Sequence, residues 1–106
     1  MNLKTILLAS VLAAALPAVA SGDGAAGKKK AEPCKACHGE AGVSVSPEFP
    51  NLAGQHFDYM VAALNHYKNG KRKNEIMKGQ AANLSVRDIN DLAAYYSGLK
   101  GLSVKY

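Results

Sequence analysis

The sequence holds two cysteines, three positions apart in the run Cys34-Lys35-Ala36-Cys37-His38. A disulfide across two intervening residues is geometrically awkward. A zinc site needs four protein ligands, and no second cysteine pair is present to complete one. A thioredoxin-like dithiol belongs at the mouth of a βαβ unit, and the sequence shows no convincing strands. The histidine directly after the second cysteine discriminates among these readings. It places an imidazole beneath an iron once both thiols have added to haem vinyl groups, so the five residues read as a c-type attachment site. Cys34 and Cys37 are the expected thioether anchors and His38 the proximal iron ligand. A chain with this motif must wrap one large, flat, apolar group.

Residues 1–20 are set aside before the fold is considered. They carry one early lysine, Lys4, an apolar run from Ile6 to Leu16, and Ala18-Val19-Ala20 at the end, the layout of a secretory signal peptide cleaved after Ala20. The apolar run falls short of the roughly 20 residues that a bilayer-spanning helix needs, so no stable membrane insertion is expected after cleavage. Residues 21–106 are then one small domain, too short to bury a large apolar core unaided. Domains of this size add disulfides, a metal or a cofactor, and one covalent haem c with its iron fits that need. The expected location is the periplasm. Once attached, the cysteines leave no free thiol to oxidise there.

Lysine and arginine outnumber aspartate and glutamate thirteen to eight, and losing Lys4 lowers the excess from five to four. The positive side chains gather at Lys28-Lys29-Lys30 and Lys71-Arg72-Lys73. Two readings of these clusters stay open: steering toward redox protein partners with acidic docking surfaces, or solvation of a small surface. Nucleic acid is excluded as a partner, because the chain is read as exported and no aromatic residues interleave with the basic runs.

Hydrophobic periodicity predicts an all-α domain of about three main helices, joined by loops that wrap the haem. The first runs from about Ala25 to Glu32, with Asp23 able to cap it and Pro33 stopping it before Cys34. Residues 43–53 have no helical period and contain Pro47 and Pro50, which marks a wrapping loop. The second helix runs from about Gln55 to Asn69, with Phe57, Met60, Val61, Leu64 and Tyr67 recurring at three and four residues, and Asn69-Gly70 ends it. Residues 71–83 read as a polar loop holding one isolated apolar pair, Ile76-Met77. The last helix opens at Ser85 with Asp88 completing a box-like cap, and Ile89, Leu92, Tyr95, Tyr96 and Leu99 form its buried stripe.

An iron bound by His38 has a second axial position. Met60 lies on the apolar stripe of a helix and reads as core packing. His56 and His66, near the ends of that helix, read as surface or capping residues. Met77 is a thioether in a Lys-, Gly- and Asn-rich segment, far enough along the chain to cross to the other haem face, and it is the expected distal ligand. Its alternative reading is a hydrophobic plug under the loop. A histidine–methionine pair favours ferrous iron relative to two imidazoles and closes the site to substrates. The expected activity is therefore electron transfer rather than catalysis.

With these residues placed, the sequence resembles a class I c-type cytochrome, in particular a single-haem domain of the bacterial cytochrome c4 type, c-553-like. The resemblance covers nearly all of residues 21–106 and rests on Cys34-Lys35-Ala36-Cys37-His38-Gly39, Phe49-Pro50-Asn51-Leu52-Ala53-Gly54-Gln55, Ile76-Met77-Lys78-Gly79, Ala81-Ala82-Asn83-Leu84-Ser85 and Asp91-Leu92-Ala93-Ala94-Tyr95-Tyr96. It implies the small cytochrome c fold, a close crossing of the first and last helices at Gly27 and Tyr95, and a hydrogen bond from His38 to the Pro50 carbonyl that orients the imidazole. It also implies that Arg72 and Asn74 lie near the haem propionates. The sequence departs from the c4 pattern in carrying one Cys-x-x-Cys-His rather than two, and in having Pro33 directly before Cys34. The function implied is a periplasmic electron carrier cycling between Fe(II) and Fe(III). The alternative is the cytochrome subunit of a redox enzyme complex, for example a sulfide-oxidising flavocytochrome.

Overall fold

The computed structural model describes residues 22–101; the expected signal peptide and its cleavage point lie outside the described residues. Within them the chain is all-α, without strands, in the order α1 (Gly24–Lys30), a 3-10 turn (Glu32–Cys34), α2 (Lys35–His38), α3 (Phe57–Asn69), α4 (Glu75–Ala81) and α5 (Val86–Ser97).

Local chemistry accounts for most of these boundaries. The Asp23 carboxylate accepts from the amides of Ala25 at 2.9 Å and Ala26 at 3.3 Å, satisfying donors that the first turn of α1 leaves open. The helix ends at Lys30, earlier than the expected Glu32. Pro33, which has no amide to donate, sits early in the 3-10 turn where none is needed. The chain then re-enters helix, so the haem motif is itself largely helical. In α3, Gly70 adopts the left-handed conformation at φ 81° and its amide bonds to the Tyr67 carbonyl, ending the helix where Asn69-Gly70 predicted. Ser85 and Asp88 form the full capping box at the start of α5: Ser85 Oγ accepts from the Asp88 amide at 3.0 Å, and Asp88 Oδ2 from the Ser85 amide at 2.9 Å.

One element departs from the sequence reading. The segment expected as a polar loop contains α4, and Met77 stands in its first turn. Asn74 caps it, its side-chain oxygen accepting from the Met77 amide at 2.9 Å, and Glu75 follows in the favourable first position. Most of this helix is exposed, and only Ala81 is buried, so it has no apolar stripe that periodicity could detect.

Helix α5 is the spine. It packs on α1 and on α3, and α3 packs in turn on α4. Met60 and Leu64 of α3 meet Ile89, Leu92, Ala93 and Tyr96 of α5 and Ala31 in one small core. Helices α1 and α5 cross closely at Gly27, where a Cβ would stand 1.9 Å from the Asp91 carbonyl oxygen and 2.8 Å from the Tyr95 Cβ. Beside the crossing lies Asp91, a carboxylate only 2 % exposed. It accepts from the Asp23 amide at 2.8 Å and from the Lys30 ammonium at 2.7 Å. Asp88 also reaches Lys30, at 2.9 Å. Lys30 is therefore part of the helix clamp, whereas Lys28 and Lys29 stay exposed.

Candidate haem-binding site

The fold brings Cys34, Cys37, His38, Pro50 and Met77 to the wall of one cavity of about 380 Å³. Phe49, Leu52, Met60, Ala63, Leu64, Leu92 and Tyr96 complete most of its apolar lining, and Tyr59, Tyr67, Arg72 and Asn74 also border it. The lining is drawn from α2, the 43–53 loop, α3, α4 and α5, so the residues the sequence singled out far apart are assembled by the whole fold. His56 and His66 are not among the lining residues, whereas Met60 is, beside Met77. Met60 is also a buried member of the core, and Met77 is only partly buried.

His38 is buried at 6 % exposure. Its Nδ1 lies 2.8 Å from the Pro50 carbonyl oxygen, and its ring meets that of Phe49 edge-on at 6.5 Å. A carbonyl can only accept, so the proton sits on Nδ1 and the lone pair on Nε2. The loop that carries Pro50 is folded back on α2 by polar contacts. The Gly42 carbonyl accepts from the amides of Leu52 at 2.8 Å and Ala53 at 3.0 Å, and Asn51 Oδ1 accepts from the Ser44 amide at 2.6 Å. Ser44 Oγ lies 3.2 Å from the Cys37 carbonyl and 2.9 Å from that of Ser46, either of which can take its single proton. Turn chemistry thus sets the imidazole's orientation.

Neither Cys34 nor Cys37 is in a disulfide, and both are half-buried. Burial pushes the Cys34 thiol up, against a smaller opposing pull from the neighbouring Tyr96. A thiol held neutral is the reverse of what a redox dithiol or a zinc thiolate requires. No group of three or more His, Cys, Asp or Glu side chains among the described residues could hold a bare metal ion. The donor set is instead one imidazole and one thioether on an apolar cavity, with two thiols on its rim. That set suits a macrocycle bringing its own iron.

The resemblance alone implies a place for Arg72 near the propionates. Its guanidinium donates to Tyr59 Oη at 3.1 Å and lies 4.8 Å from the centre of the Tyr67 ring, so it is held at the cavity's border. Periodicity gives no indication of the buried Asp91 carboxylate or of the phenol of Tyr96, unpartnered among the described residues.

Comparison with known proteins agrees with this geometry. Residues 22–95 match the family described as cytochrome c oxidase, cbb3-type, subunit III. Cytochrome c4 of Pseudomonas aeruginosa is 47 % identical over 81 residues, covering 76 % of this chain and 40 % of that protein. Cytochrome c-554(548) of Halomonas halodenitrificans is 44 % identical over 80 residues, covering 73 % of this chain and 96 % of that protein. A thiosulfate dehydrogenase electron acceptor of Thiomonas intermedia is 39 % identical over 77 residues, covering 72 % of this chain and 36 % of that protein. Among solved structures, reduced recombinant cytochrome c4 from Pseudomonas stutzeri superposes with a TM-score of 0.73 at 42 % identity, covering 80 % of this chain and 49 % of that one. The chain thus spans about half the length, or less, of the cytochrome c4 proteins it matches.

Proposed function

This chain belongs to the electron-transfer cytochromes c, as a single-haem domain of the cytochrome c4 type with covalently bound haem c, and from that premise we propose that it is an exported, periplasmic carrier that shuttles single electrons between redox proteins. Cys34 and Cys37 are the thioether anchors, His38 Nε2 the proximal iron ligand and Met77 the distal one. The observation that carries this reading is the convergence of those four side chains on one apolar cavity. The bound group supplies a reversible Fe(II)/Fe(III) couple. The protein's part is to hold that couple still and dry: the Pro50 carbonyl fixes the imidazole and strengthens it as a donor, Asn74 caps the turn that presents Met77, and the apolar wall excludes water. Were His38 and Met77 both to hold the iron, no substrate would reach it, and the protein would act as a carrier rather than an enzyme.

Residues 1–20 form the export signal, removed after Ala20, and no described helix is long and apolar enough to cross a membrane. Lys71, Lys73 and Lys78 are exposed and flank in sequence the cavity-lining Arg72, Asn74 and Met77, which favours acidic docking surfaces on partners. An optical redox titration of the purified protein tests the function: a single reversible one-electron step with haem retained after denaturation is expected, and haem that washes out on denaturation contradicts it. A second reading, a cytochrome subunit of a redox enzyme complex, is favoured by the likeness to a thiosulfate dehydrogenase electron acceptor. Co-elution with a larger protein from periplasmic extract would select it over the free carrier.

A further inference from the structure

Tyr96 presents a feature that the carrier function does not use. Its side chain is 2 % exposed, and its hydroxyl is the one buried side-chain oxygen or nitrogen without a hydrogen-bond partner among the described residues. An unmet phenol in a dry site is costly, and several contacts hold this one in place. The ring packs against that of Tyr95 at 5.0 Å between centres. Gly42 leaves room for it: a Cβ there would stand 3.1 Å from the Tyr96 ring. The Tyr96 carbonyl accepts from the Gly54 amide at 2.9 Å. Tyr96 borders the same cavity as Cys34, and Cys34 packs against the core cluster that includes Tyr96. Burial raises both the Cys34 thiol and the Tyr96 phenol and holds the phenol neutral.

We propose that Tyr96 is a positioning and tuning residue for the haem, its O–H donating a hydrogen bond to the Cys34 sulfur once that sulfur has become a thioether. The inference rests on Cys34 being a haem anchor. While Cys34 keeps its thiol proton, the phenol makes no hydrogen bond to it. Alkylation removes the thiol proton, so the sulfur can only accept and the phenol becomes the donor. The orphan hydroxyl gains its partner only in the loaded protein. A donor dipole aimed at the haem's sulfur substituent withdraws electron density and disfavours the extra positive charge of Fe(III), and such hydrogen bonds are a recognised lever on haem potential.

The test compares haem-loaded wild type with Tyr96→Phe, which keeps the ring and deletes the hydroxyl, and with Tyr95→Phe as a control phenol outside the cavity lining. Potentiometric titration of Tyr96→Phe should show the Fe(III) to Fe(II) ratio at fixed potential rising about threefold, which is about 28 mV lower at 59 mV per decade for one electron. Tyr95→Phe should leave it unchanged. A Tyr96→Phe potential equal to wild type, with a higher denaturation midpoint, would show a hydroxyl that stays unpartnered and would overturn the proposal. Absence of covalent haem from the wild type would instead overturn the assignment of Cys34, which the titration detects before any variant is compared.

Discussion

Replacing Gly27 with alanine puts a methyl group where α1 and α5 leave no space. The new Cβ would sit 1.9 Å from the Asp91 carbonyl oxygen, against an ordinary contact distance of at least 3.4 Å, and the obstacle is backbone that cannot swing aside. The helices must separate by about 1.5 Å, the difference between those distances. The Asp23 amide lies 2.8 Å from Asp91 Oδ1, and a displacement of that size takes it out of hydrogen-bond range. A hydrogen bond to a charged acceptor contributes about 1.5–3 kcal/mol, and overpacking costs a further 1–3 kcal/mol, roughly. Alanine returns about 1 kcal/mol of helix propensity relative to glycine. The expected net loss is about 1.5–5 kcal/mol, which at about 4–8 °C per kcal/mol for a domain of this size lowers Tm by about 6–40 °C. Thermal unfolding of the haem-loaded variant, followed by circular dichroism at neutral pH, reads this directly. A Tm within about 3 °C of wild type would correspond to less than 1 kcal/mol and would refute the close crossing as described.

Two further outcomes follow from polar contacts. Asp88 is held below the usual carboxylate range first by its bond from the Ser85 amide and then by Lys30, and Asp91 first by Lys30. Groups depressed in the folded state stabilise it above their unfolded value near 3.8, and that stabilisation is lost as pH falls through the folded value. Wild-type stability should therefore decline from about pH 4 downward. Asp91→Asn, which keeps an acceptor for the Asp23 amide, should lose about 1–3 kcal/mol at neutral pH and show a flatter acid limb in denaturant titrations across pH. Asn74→Ala removes the cap on α4 at a cost of about 1 kcal/mol, and because that cap bonds the Met77 amide, exogenous imidazole should displace the distal ligand at lower concentration than in wild type. Equal displacement curves would show that the cap does not hold the ligand.

What could be read from the sequence was what neighbouring residues decide. Asp23, Asn69-Gly70 and the Ser85–Asp88 box act within one turn, and the structure has them in place because those bonds need no distant partner. The haem motif is equally local, five residues long. Helix α4 escaped notice because its helical character resides in the Asn74 cap and Glu75 rather than in an apolar stripe, and Gly79 within it weakens the pattern. The Lys30–Asp91 bond joins residues 61 apart, so a lysine in a run of three reads as free surface charge until the fold brings α5 beside it. Tyr96 was legible as apolar stripe, but its hydroxyl's lack of a partner is a property of packing.

The central claim is that Met77 closes the iron opposite His38, and the near-infrared edge of the ferric spectrum measures it most directly. A weak thioether-to-iron charge-transfer band is expected in wild type, lost in Met77→Ala and kept in Met60→Leu, since Met60 is the other cavity methionine and belongs to the core. A band that persists in Met77→Ala, or vanishes in Met60→Leu, would contradict it.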